Sequence, residues 1–134
     1  MDRHSEKNLC GKRDCIILGI ILALAALIRL PFIGTDGLWE DETFGATLAT
    51  LPLSELIEHL RSDVHPPMYF FILKLVHLAV NAEYWTAGVI RSVSLSFGLL
   101  GIWITYLLAG KLINPNVGLT AAYLMAINPI HVHY

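Results

Sequence analysis

Apolar positions in this chain fall into long runs separated by one strongly polar stretch. The first run, residues 16–33 (IILGIILALAALIRLPFI), is interrupted by a single charge at Arg29. Its 18 residues reach roughly 27 Å as a helix, close to the hydrocarbon thickness of a bilayer. Arg29 lies near the end of the run, where its stem can stay in lipid while the guanidinium snorkels toward headgroups. Residues 88–109 form a second run of 22 residues with one charge, Arg91, near its start. A third, 117–130, is expected to begin at about Leu112, across the Asn114–Pro115 turn. It should end or bend at Pro129, which lacks an amide donor. Residues 66–80 are apolar but short, with Lys74 and His77 inside, so a crossing and an interfacial or re-entrant helix both stay open.

The polar stretch, residues 34–65, has a helical pattern of its own. Asp36-Gly37 is a turn signal, and Asp36 is positioned to cap a short helix over 38–49. Beyond Pro52, Leu53, Leu56, Ile57 and Leu60 recur at the spacing of one apolar helix face. The predicted fold is all-α: multi-span transmembrane helices with short juxtamembrane helices in the first outer loop. In chain order these are a cytoplasmic segment (1–15), a span (16–33), an acidic extracytoplasmic loop (34–65), the short apolar helix (66–80), a span (88–109) and an incomplete span (112–134).

Composition supports a membrane setting. Hydrophobic residues make up 55% of the 134 positions and charged residues 15%, with a mean hydropathy of +0.60. So few charges leave too little polar surface for a free-standing soluble domain of this size. A cleaved signal peptide fits less well than a retained span, because the first run exceeds an ordinary signal core and no small-x-small site follows it. Lys12 and Arg13 abut that run and place the N-terminus in the cytoplasm by the positive-inside tendency. The formal net charge of −2 excludes a general nucleic-acid binder, which needs a concentrated basic face. Cys10 and Cys15 form no disulfide framework, and their spacing matches neither a thioredoxin motif nor a common zinc pair; they read as thiols in a reducing compartment.

Charge is concentrated in one place. Residues 34–65 hold Asp36, Glu40, Asp41, Glu42, Glu55, Glu58 and Asp63 against Arg61 alone. Glu40, Asp41 and Glu42 stand consecutively just past the first span. Three adjacent carboxylates near a low-dielectric boundary call for a cation or a basic partner, and one of them can act as general base toward a hydroxyl. A solvated acidic loop accounts for the same pattern. His65-Pro66-Pro67 sets an extended step back to the membrane boundary, and its histidine is a candidate to hydrogen-bond a phosphate or orient a carboxylate. His131 and His133 lack a third ligand and make a weak metal case.

Taken in order, LWEDETF, LSELIEHL, DVHPPMYFFILKLVH, RSVSLSFGLLGIWITYLL and INPIHVHY resemble the N-terminal part of the polytopic glycosyltransferases of the protein O-mannosyltransferase-like superfamily, the aminoarabinose transferases among them. The resemblance covers residues 16–134, and its specific part is the W-x-D-E followed by HPP. It implies a membrane enzyme that transfers a sugar from a polyprenyl-phosphate donor to a protein, glycan or lipid acceptor at the extracytoplasmic face. It also implies Asp41 as general base or metal ligand, Glu42 as its neighbour and co-ligand, His65 as the histidine-proline-proline step that supports the phosphate or loop, and Arg91 as the arginine that opens the next span. The charge of the departing phosphate makes Arg91 the candidate donor-phosphate contact, with a snorkelling or packing role as the alternative. A divalent cation is the implied candidate cofactor. Such enzymes are longer than this chain, so it is expected to be the front part of one and inactive alone. The rival readings are a transporter or channel fragment with an acidic vestibule and a non-catalytic assembly subunit.

Overall fold

The computed structural model describes residues 11–34, 37–81 and 85–128. Within them the chain is helical throughout. The elements are α1 (Lys12–Arg29), a 3₁₀ turn (Leu30–Phe32), α2 (Glu40–Thr50), α3 (Leu53–Ser62), α4 (Pro67–Ala79), α5 (Ala87–Leu112) and α6 (Pro115–Ile127). No strand occurs among the described residues. Two compact units result, one of Met1–Phe32 with Ser94–Tyr134 and the other of Ile33–Val93.

The first unit contains the two helices long and apolar enough to cross a membrane, Lys12–Phe32 and Ala87–Leu112. Their outward faces are as apolar as their inward ones. Along α1, Leu18, Ile21 and Ala25 are buried while Ile16, Ile20, Leu24 and Leu27 are exposed. Along α5, Ile102 and Tyr106 are buried while Phe97, Leu100, Ile104 and Leu108 are exposed. A helix that is hydrophobic all round suits lipid, not water.

Helix α6 joins this core through small residues. Gly118, Ala122 and Ala126 recur every fourth position, and Ala122 and Ala126 are fully buried with Ala25 of α1. Such a stripe lets backbones approach closely. A Cβ on Gly118 would stand 2.7 Å from the Tyr106 carbonyl oxygen and 3.0 Å from the Gly110 amide nitrogen, both main-chain atoms that cannot swing aside. Gly118→Ala is therefore expected to push α6 off α5 at a cost of about 1–3 kcal/mol. Thermal unfolding in detergent measures it, with Ala121→Gly at a partly exposed site of the same helix as the comparison. Asn114 caps α6, its Oδ1 accepting from the Val117 amide at 2.9 Å, and Pro115 fills the first helical position where no amide is needed. At 13 residues, roughly 20 Å, the described part of α6 is shorter than a bilayer core.

Arg29 departs from the snorkelling expectation. It is buried, and its Nη1 donates to the carbonyls of Ala25 at 2.8 Å and Ala126 at 3.2 Å. Ala126 is in the last turn of α6, where carbonyls lack helical partners and the helix dipole is negative, so an inward cation satisfies what lipid cannot. Cys15 also departs from expectation: it is disulfide-bonded. Cys10, Asp36 with its expected cap, Pro129, His131 and His133 lie outside the described residues.

The second unit packs α2 against α4. Gly45 on α2 permits the approach, since a Cβ there would meet Leu73 Cδ1 at 3.2 Å and Phe70 Cε1 at 3.8 Å. Ala46, Ala49, Leu73 and Ile90 form one buried cluster, and Leu48, Leu56 and Phe70 another. The apolar stripe of α3 is only half used: Leu56 is fully buried, whereas Leu53 and Ile57 stay exposed. The expected apolar segment 66–80 becomes α4, 13 residues long. Lys74, anomalous within so apolar a helix, donates to the Leu51 carbonyl at the C-terminal end of α2.

Candidate active site

Glu40, Asp41 and Glu42 open α2, and this position explains why three acids can stand together. The first turn of a helix presents unpaired amides and the positive end of its dipole, both favourable to carboxylates. Successive helical residues diverge by about 100°, so each acid meets different surroundings.

Glu42 turns toward Arg91. The guanidinium grips it with two bonds, Nε to Oε1 and Nη2 to Oε2, each 2.9 Å. The same carboxylate accepts from the Trp39 amide at 3.1 Å, the backward reach of a capping box. Nη2 of Arg91 also donates to the Gly37 carbonyl at 3.3 Å. Both side chains are largely removed from solvent, Arg91 at 13% and Glu42 at 28% exposure. The Arg91 hydrogen bonds hold the Glu42 pKa below its ordinary value, outweighing burial, which acts the other way.

Asp41 faces elsewhere. It lines an open depression of about 420 Å³ together with Phe44, His59, Ser62, Asp63 and His65. Glu40 lines a separate, mostly apolar groove with Leu38, Thr43, Phe44 and Thr47. The fold thus brings Asp41 and His65, 24 positions apart in sequence, to one surface and directs Glu42 to a different partner.

His65 is held from two sides. Its Nδ1 lies 2.7 Å from Asp63 Oδ1, and its amide donates to the same oxygen at 3.0 Å. Its ring makes an edge contact with Phe70 at 6.4 Å between centroids, and Phe70 makes another with Phe44 at 5.9 Å. The His65 amide, followed by its ring, keeps the Asp63 carboxyl below its usual range. The sequence marks Asp63 only as one acid of the block 34–65, not as a site residue. The signal was the Asp-x-His spacing, since an Asp often accepts the amide two residues on.

Asp41 and Glu42 do not fit a divalent ion jointly. They diverge around α2, and both Glu42 oxygens are taken by Arg91. Among the described residues no group of three or more His, Cys, Asp or Glu side chains is arranged to hold a metal.

No curated protein and no solved structure matches the chain. The profile of the dolichyl-phosphate-mannose-protein mannosyltransferase family does match, over residues 64–134. That match takes in His65-Pro66-Pro67 and Arg91 and stops short of the acidic turn of α2. It covers more than half of the chain and agrees with the all-helical fold and its two long apolar helices. The chain belongs to the dolichyl-phosphate-mannose-protein mannosyltransferase family.

Proposed function

We propose that this chain is the front part of a membrane glycosyltransferase that moves a sugar from a polyprenyl-phosphate carrier to an acceptor at the extracytoplasmic face. The observation that carries the reading is the shared depression of Asp41 and His65, the latter inside the stretch that matches the mannosyltransferase family. In this reading the protein crosses the membrane several times with its N-terminus in the cytoplasm, and α4 lies at the boundary. That location lets the polar phosphosugar reach the depression while the carrier chain stays in lipid.

In the proposed transfer, the acceptor oxygen or nitrogen bonds to the anomeric carbon as the bond from that carbon to the phosphate oxygen breaks. The acceptor proton passes to the Asp41 carboxylate, and the carrier leaves as polyprenyl phosphate. His65, when protonated, donates through Nε2 to a phosphate oxygen and offsets the charge that develops there. Glu42 and Arg91 act by fixing the first turn of α2, and so the position of Asp41.

The test is transfer from labelled polyprenyl-phosphate hexoses and pentoses by the complete gene product in proteoliposomes. Labelled sugar on an acceptor, with release of polyprenyl phosphate, is expected. Ion flux without any glycosyl transfer would overturn the reading in favour of a transporter.

A further inference from the structure

The Asp63–His65 pair supplies one more assignment, which rests on the proposed transfer. We infer that Asp63 is a positioning residue: it fixes the His65 ring so that Nδ1 carries a proton to Asp63 and Nε2 is the nitrogen presented to substrate. Asp63 Oδ1 accepts from both the ring and the amide of His65, so one oxygen anchors backbone and side chain together. The Asp63 side chain is only 10% exposed, whereas that of His65 is 57% exposed. The carboxylate is thus the fixed member and the imidazole the accessible one. Pro66 restrains the backbone of His65 to an extended conformation, and Phe70 meets the ring at 76°. Ring, backbone and carboxylate are held together at the edge of the depression that Asp41 lines.

The chemistry follows from the two ring nitrogens. An ionised carboxylate only accepts hydrogen bonds, so Nδ1 must donate to it. The neutral ring is then held with its proton on Nδ1 and its lone pair on Nε2, and the protonated ring directs Nε2–H away from Asp63. Among the described residues, no other hydrogen bond of the His65 ring competes with this arrangement.

Nitrogen-15 NMR of the complete, histidine-labelled protein in detergent tests the assignment, with His65→Ala identifying the His65 signals. At a pH where the ring is neutral, the wild type should show the Nδ1–H form. Asp63→Ala should release it toward the Nε2–H form, and Asp63→Asn, whose amide oxygen still accepts, should retain Nδ1–H. Sugar transfer should fall about tenfold or more in Asp63→Ala and recover in large part in Asp63→Asn. An Nδ1–H signal unchanged in Asp63→Ala would overturn the inference, as would full transfer by Asp63→Ala despite a changed signal. The NMR reading needs no sugar donor. A tautomer that responds to Asp63 in a protein that transfers no sugar therefore overturns the proposed activity and leaves the pairing standing.

Discussion

Asp41→Asn is expected to lower sugar transfer by about 10²-fold or more, the scale of a lost general base. Asparagine keeps the size and the exposed position at the start of α2 but cannot take a proton. Because the side chain is exposed and lines an open depression, stability should change little. Glu40→Gln provides the contrast. Glu40 lines the apolar groove on another side of α2, away from His65, so its loss should cost far less. Turnover of lipid-linked sugar by purified full-length variants, with membrane insertion checked separately, decides between them. Near-normal transfer by Asp41→Asn beside a collapse in Glu40→Gln would move the active carboxylate by one position.

Arg91→Ala should destabilise the Ile33–Val93 unit by about 2–4 kcal/mol, the cost of leaving a partly buried carboxylate without its hydrogen-bonded partner. Arg91→Lys should recover only part of this, because an ammonium cannot reproduce the two-bond fork. The same pair predicts a pH dependence. Arg91 depresses the pKa of Glu42 in the folded state below the ordinary 4.5. The folded state therefore binds fewer protons there, and stability from the pair is fully present above about pH 4.5. It is lost as the pH falls through the depressed folded value. Melting of the detergent-solubilised protein between neutral and acidic pH should show this loss in the wild type. Arg91→Ala should lie lower at neutral pH and flatten across the acid range, and an unchanged acid slope would remove the pair as its source.

The activity and stability predictions separate two roles within one three-residue stretch. The carboxylate proposed for chemistry is exposed, and the one beside it is tied down. Evolution of such a site needs a rigid support for a group that must stay accessible, and the first turn of α2 provides it through the Arg91 fork and the Trp39 amide.

Hydrophobic run length determined the helical class and the first and second long helices, and apolar period the short amphipathic α3, because period and length are local properties of the chain. The start of α6 differs from the expected one: Leu112 ends α5, and Asn114 caps a new helix that begins at Pro115 instead of letting one run across the turn from Leu112. Asp41 and His65 were legible as candidates from residue type and order. Their meeting at one surface was not, since it depends on α2 packing against α4 through Gly45, Phe70 and Leu73. Nor could the sequence tell which of three adjacent acids would pair with Arg91, 49 positions beyond Glu42. Arg29 shows the same limit: its place near a helix end is compatible with headgroups or with carbonyls. The choice fell to the end of α6, nearly a hundred residues away in sequence, which set unpaired carbonyls within its reach. Sequence fixes what each segment can become, and tertiary packing decides which distant charges face one another, because hydrogen bonds between helices act over a few ångströms at positions no local pattern encodes.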